Sequence, residues 1–277
     1  MVGRMLRAWW ADVIALAIAG VVFVIPFLFI LVTAAKNQAD AARLEFTIPS
    51  QWLLVDNLLE VIGARNGLMV TAMRNSLIVT VGSVTLIVLF AAMVGYVLQR
   101  RRDRLGSAIS ALMLAGLIIP PAVVPTIYVL QAIGLFKTLP GLILAEIGFL
   151  LPFSVVIFRT FTANIPRELD EAAIIDGASP SQLFRHVIFP LLRPAMITVI
   201  VVASIAVYND FVNPLYFLPG TENATVQLTL FNFQSQFNTR WHLLFADVLL
   251  ITIPPLIMFL FFQRQIVSGL AKGAVKG

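Results

Sequence analysis

The 277-residue chain contains no cysteine, and only 12% of its residues are charged, where a globular domain carries about a quarter. The first absence excludes disulfides, thiolate metal sites and a cysteine nucleophile. The second excludes an ordinary soluble enzyme. Histidine is almost missing too. His186 and His242 are the two present, and no Gly-x-Ser-x-Gly or His-Glu-x-x-His pattern lies within an apolar block, so neither a Ser–His pair nor a zinc site is assembled for an intramembrane enzyme. A Gly-rich phosphate loop ending in Lys-Ser or Lys-Thr is also lacking.

What is abundant is apolar. Hydrophobic residues make up 60% of the sequence, and they gather into blocks as long as a membrane crossing, which takes about 20 residues. The blocks run from Val13 to Val32, Ser76 to Leu98, Ala108 to Ile133, Leu142 to Phe158, Ala195 to Leu218 and Leu243 to Phe262. They predict an all-α polytopic membrane protein with six transmembrane helices and one domain over 1–277. Arg4 and Arg7 ahead of the first block suit a signal peptide, but its core exceeds the about 7–15 residues of such a segment. It is read as a span.

Lys and Arg accumulate in cytoplasmic loops. With the N-terminus inside, 13 of the 19 basic residues fall on the cytoplasmic side: Arg4, Arg7, Arg100, Arg101, Arg102, Arg104, Arg159, Arg167, Arg185, Arg193, Arg264, Lys272 and Lys276. Both termini are therefore expected in the cytoplasm. The net charge of +5 is accounted for by topology, and nucleic acid is not an expected partner. Arg100 to Arg104 reads as a stop-transfer anchor, and Thr33 to Arg74 as a structured external loop with short helices. Pro26, Pro120-Pro121, Pro125, Pro152, Pro214 and Pro254-Pro255 interrupt the spans, either as simple kinks or as breaks lining a path.

Between the fourth and fifth blocks, residues 164–190 are polar without being a tail. Pro166 suits a first helical turn, Glu168 and Asp170 favour an N-terminal helix end, and Gly177 can take the left-handed conformation that ends the helix. Ser179 then caps a second helix opening on Pro180 and closed by Pro190. Leu169, Ala172 and Ala173 share one face, which is either a solvated surface or a small docking face flanked by carboxylates.

Glu171, Ala172, Ala173, Gly177, Val187 and Pro190 stand at the spacings of the EAA loop of ABC importer permeases, with Phe189 in the usual Leu position. The segment Tyr208-Asn-Asp-Phe-Val-Asn-Pro-Leu resembles the aromatic-Asn-acid-Phe segment of carbohydrate-type permeases. The C-terminal run from Phe261 to Gly277 is similar to the tail of the shorter six-span subunit of maltose-type importers. The chain is thus identified as a member of the carbohydrate-uptake permease family.

The resemblance implies a type I importer fold whose cytoplasmic loop is a coupling helix seated in a cleft of a separate ATPase. Glu171 would be a charged contact there, Ala172 and Ala173 small residues admitted by the cleft, Gly177 the turn, and Asp176 a cap or contact. Lys272 and Lys276 would reach toward the ATPase from the tail. The implied partners are a second permease subunit in a heterodimer, two ATPase copies carrying ATP and Mg, and an extracytoplasmic substrate-binding protein. The implied place is a bacterial or archaeal cytoplasmic membrane, and the implied cargo a di- or oligosaccharide. No cofactor is expected on this chain.

Carboxylates inside spans cost about 2.5–3.5 kcal/mol to insert and usually turn inward. Glu146, Asp210 and Asp247 are such residues. Asp210, with Tyr208, Asn209 and Asn213, combines amides and a carboxylate for hydroxyls with an aromatic face for a sugar ring. Glu146 is a further candidate along a substrate path. The same groups equally suit interhelical hydrogen bonding. A polyol or glycerol phosphodiester is the alternative cargo, and an ion-coupled secondary transporter using these acids is the alternative class, although such folds normally carry internal repeats.

The inferred topology is open to cysteine labelling, since the native chain has no thiol background. Cysteines within Thr33 to Arg74 should react with an impermeant reagent in intact cells, and cysteines at 102 and 272 should react only after lysis.

Overall fold

The computed structural model describes residues 10, 13–101, 103–234 and 238–274, with side chains described up to 263. All regular structure among them is helical. Four helices are long and apolar enough to cross a membrane, and six crossings result if each of two bent helix pairs counts as one.

Helix α1 (Val13–Ala34) is apolar and its most hydrophobic stretch is not buried by the rest of the chain, as suits lipid contact. It widens into a π turn over Gly20–Val24 just before Pro26, which has no N–H to return to Val22. The following loop is folded, as expected. The Asn57 amide donates to the Ala34 and Lys36 carbonyls at 2.7 and 2.9 Å. Lys36 is fully buried, with Nζ donating to the Glu45 carbonyl at 2.6 Å and to Thr47 Oγ1 at 3.1 Å. Helix α2 (Gln38–Ala42) is capped by Asn37, whose side chain accepts from the Asp40 N–H.

Helix α3 (Leu54–Arg100) contains the second apolar block as its C-terminal part. Near its start Arg65, Asn66 and Gly67 adopt φ of 48°, 59° and 75°. Two non-glycine residues in that region cost energy that neighbours must offset, and the kink separates a short N-terminal segment from the longer remainder.

The third block, expected as one span over 108–133, is broken. Helix α4 (Arg104–Ile118) and helix α5 (Val123–Ala132) meet at 120°. Consecutive Pro120 and Pro121 remove two donors and push Ile119 to an extended ψ of 124°. With 15 residues, α4 is about 22 Å long, short of the about 30 Å hydrocarbon core. At its start the Asp103 carboxyl accepts from the Gly106 N–H at 2.8 Å. That bond, and then the Arg101 guanidinium, hold this exposed carboxyl below its ordinary range.

Helix α6 (Leu139–Ala163) carries the fourth block past Pro152. Helices α7 (Glu168–Ile175) and α8 (Pro180–Leu191) form the expected hairpin, and α9 (Arg193–Tyr208) follows at 73° to α8. Pro190 does not end α8, contrary to expectation. A π turn over Leu183–Ile188 precedes it, and the chain bends at Leu192 instead, ahead of Pro194. The fifth block is also interrupted: α9 stops at Tyr208, and α10 (Val212–Phe217) resumes after Asn209–Phe211. After the short α11 (Val226–Thr229), α12 (Trp241–Ala274) runs through Pro254 and Pro255.

The chain forms two compact units, Met1–Thr71 with Leu228–Ile253, and Ala72–Gln227 with Pro254–Gly277. In the first, Phe29 meets Phe245 edge-on at 5.5 Å, and Asp247, fully buried, accepts from Thr229 Oγ1 at 3.0 Å. In the second, Ile87, Ala91, Val155, Phe158, Leu192 and Val199 form the core. Lipid offers helices no hydrophobic drive toward each other, so close backbone approach through small residues matters more. At Gly95 an added Cβ would stand 2.8 Å from Phe158 Cβ and 2.9 Å from the Arg159 backbone nitrogen.

Gly95→Ala should therefore destabilise the detergent-solubilised chain by about 1–3 kcal/mol through overpacking. Gly148→Ala, which meets nothing within 4 Å, should leave it unchanged or slightly stabilised. Thermal unfolding of the two variants side by side checks this.

Candidate functional site

The hairpin between α6 and α9 folds from strong local signals. Gly177 takes φ 81°. Its N–H bonds to the Ile174 carbonyl at 3.0 Å, and the next N–H, of Ala178, reaches back to Ala173 at 2.9 Å. This double closure satisfies the carbonyls that α7 leaves at its end. Ser179 opens α8 with a reciprocal cap, its hydroxyl accepting from the Gln182 N–H while Gln182 Oε1 accepts from the Ser179 N–H.

The two faces of α7 are not divided as its sequence suggested. Ala173, expected on the docking face beside Ala172, is buried at 9% exposure among Leu98, Leu183 and Ile188. Three residues before it, Asp170 turns the same way. The outward face consists of Glu168, Leu169, Glu171, Ala172 and Asp176, continued by Ile174 and Ile175 at 62% and 85% exposure. Two branched apolar side chains standing in the open beside carboxylates are costly to leave in water and suited to a partner's groove. The i, i+3 relation of Asp170 to Ala173 was available in the sequence. What was missing was a sign of which stripe faced inward.

Asp170 meets Arg100, the last residue of α3. Arg100 Nε lies 2.5 Å from Asp170 Oδ2, and its Nη2 donates to the Ile165 carbonyl at 3.0 Å. The guanidinium carbon is 5.8 Å from the Tyr96 ring centroid. Both charged side chains are mostly shielded, at 15% and 13% exposure. Arg100 thus departs from the expected surface anchor run. Arg101 remains exposed and pairs with Asp103 at 2.6 Å, and Arg102 lies outside the described residues. Beside this clamp, Leu89, Met93, Tyr96, Val97, Phe184 and Phe189 line an apolar cleft of about 490 Å³ between α3 and α8.

The second candidate group lies around the break between α9 and α10. Asp210 Oδ1 accepts from the Val212 and Asn213 N–H groups at 2.9 and 3.4 Å, which makes the turn. Asn213 Nδ2 then donates to Oε1 of Glu146 on α6 at 3.1 Å. Glu146 is buried. Gln227 Nε2 donates to Asn209 Oδ1 at 3.3 Å. The structure therefore gathers Glu146, Asn209, Asp210 and Asn213, with Gln227 as a member that sequence reading missed. Tyr208 is different. It is buried, and its hydroxyl lies 3.5 Å from Met73 Sδ, so its ring packs within the chain. Asn209 is the exposed member. Lys272 and Lys276 fall outside the described side chains.

A family model described as "Binding-protein-dependent transport system inner membrane component" matches residues 87–272. The chain belongs to this family. As a permease it resembles the trehalose transport system permease protein SugB of Mycobacterium tuberculosis, 37% identical over 199 residues covering 69% of this chain and 72% of the relative. It also resembles the probable starch degradation products transport system permease protein AmyC of Thermoanaerobacterium thermosulfurigenes, 30% identical over 261 residues and 94% of each chain. A solved bacterial ABC transporter involved in import of the acidic polysaccharide alginate shares the fold, with a TM-score of 0.80 at 19% identity, covering 93% of this chain and 96% of that one. The permease is an all-helical, multi-pass inner-membrane subunit and not an enzyme.

Asn213→Ala would leave the buried Glu146 carboxyl without its amide donor, and should destabilise the permease by about 1–3 kcal/mol. Asn209→Ala, at an exposed position, should change stability by no more than about 0.5 kcal/mol. Thermal unfolding in detergent separates the two.

Proposed function

We propose that this permease forms half of the translocation path of a saccharide importer and is driven through α7 by a separate ATPase. The importer would comprise a second, different permease subunit, two ATPase copies holding ATP and Mg, and an extracytoplasmic binding protein that delivers the sugar. The 164–190 loop and both termini face the cytoplasm, a placement supported by the distribution of Lys and Arg. The saccharide cargo is supported by the relatives, whose names specify trehalose, starch degradation products and melibiose, raffinose and stachyose. A binding-protein partner is supported by the family description and by a neighbour of the same fold, TM-score 0.69, solved with its alginate pentasaccharide-bound periplasmic protein.

The observation that carries the coupling role is the outward face of α7. Ile175, the most exposed large apolar residue of the loop, stands one turn from Glu171 and Ala172. A groove in the ATPase would cover this apolar tip, accept small Ala172 closely and meet Glu171 with a cation. Ala173 holds the helix from behind. In the membrane, Asn209 and Gln227 offer amides to sugar hydroxyls at the break between α9 and α10, and Asp210 and Glu146 support that turn.

Ile175→Asp tests the coupling role without disturbing the fold, because the side chain already lies in solvent. The variant should insert and purify normally but co-purify at least about tenfold less ATPase, since burying an unpaired charge in a groove costs well over 1.4 kcal/mol. Wild-type recovery of the ATPase would overturn the coupling role. For the cargo, the reconstituted complex should take up one or more of trehalose, melibiose, raffinose and maltodextrins, and Asn209→Ala should lower that uptake. Uptake of a polyol or glycerol phosphodiester in their place would reassign it.

A further inference from the structure

Three features concern how α7 is held. The guanidinium of Arg100 reaches two points of the loop at once, the Ile165 carbonyl before α7 and the Asp170 carboxylate in its first turn. Each charge also sits at the favourable pole of its own helix, since Arg100 ends α3 and Asp170 opens α7. Beyond this point the Tyr96 and Phe184 rings, 5.8 Å apart, make a further contact between α3 and the loop at the edge of the open apolar cleft. The two segments are therefore joined by a shielded ionic clamp and a ring contact beside an open cleft.

We propose that Arg100 and Asp170 are positioning residues for transport, clamping the coupling hairpin to α3 so that force applied at the outer face of α7 moves α3 as one body instead of rocking the hairpin into the cleft. The proposal rests on the reading of α7 as the coupling helix. The residues that meet the ATPase, Glu171, Ala172 and Ile175, lie on one stripe. Those that pass the motion inward, Asp170 and Ala173, lie on the other. Because the pair is mostly shielded, removing one charge leaves the other desolvated and unpaired, a larger loss than at a surface ion pair.

Asp170→Asn keeps the size of the side chain and removes the charge. In the complete reconstituted complex it should retain the ATPase and its basal hydrolysis. The ratio of sugar taken up to ATP hydrolysed, measured with the panel saccharide that the wild type imports fastest, should fall about tenfold, equivalent to about 1.4 kcal/mol of lost coupling. Asp170→Glu should restore most of that ratio. A readout independent of cargo uses spin labels on cysteines at Val97 and Ser181, on opposite walls of the cleft. In the otherwise unaltered permease their separation should be the same without nucleotide and when trapped with ATP and vanadate. With Asp170→Asn it should differ between the two states. Arg100→Lys, which keeps a cation but cannot span both contacts, should give intermediate values if the Asn variant fails to accumulate. A wild-type ratio and an unchanged label separation in Asp170→Asn or Arg100→Lys would overturn the clamp. Loss of ATPase binding in Asp170→Asn would also overturn it, by placing Asp170 on the docking face. Normal ATPase binding by Ile175→Asp would instead overturn the coupling reading, so the two failures are distinguishable.

Discussion

A hydrocarbon surround offers no hydrogen bonds, so the backbone polar groups that the chain carries into it must be met by the chain itself, and many of its side-chain polar groups are met likewise. This constraint accounts for details otherwise unrelated. Ser110, Thr126, Ser154, Thr162, Thr198 and Thr252 each return their hydroxyl to the carbonyl four residues earlier. Asp247 takes the Thr229 hydroxyl, Glu146 the Asn213 amide, and the end of α1 is closed by Asn57. At Pro26 the helix widens into a π turn over Gly20–Val24, and at Pro120-Pro121 it breaks between α4 and α5, whereas α6 and α12 continue through Pro152, Pro254 and Pro255.

The same requirement decides where the fold can bend. A break inside a span exposes backbone groups, and it is tolerated where side chains replace the lost helical bonds. The turn after α9 meets this condition because Asp210 accepts the first N–H groups of α10, and Asn213 reaches across to α6. The polar group is thus structural first, with Asn209 its exposed member and Gln227 donating to it. Tyr208, whose ring chemistry suits a sugar, packs inside the chain.

The loop between α6 and α9 obeys a different logic, because water is available to it. Its carboxylates need no partner to be soluble, yet Asp170 has one, whereas Ile174 and Ile175 would gain from cover within the chain and have little. A helix that shields an ion pair and exposes its branched apolar residues fits the docking role proposed for it. Gly177 holds the geometry. Its φ of 81° turns the chain at the end of α7, and a β-branched residue there would be strained.

The sequence by itself determined the membrane class, the hairpin with its Gly177 stop and Ser179 cap, and the family. These follow from composition and from interactions between residues three or four apart, which a linear text displays. It also placed Asn209, Asp210, Asn213 and Glu146 as candidates, because an acid or amide within an apolar run is conspicuous. Only the tertiary structure decided which side of α7 faces inward, and so moved Ala173 from the docking face to the core and brought Ile175 forward. It likewise paired Arg100 with Asp170, and turned the third apolar block into two helices at 120°. The reason is physical. Whether a helix face is covered, which partner a charge meets 70 positions away, and how sharply two prolines bend a chain all depend on what packs against the segment, and no local pattern encodes the neighbour.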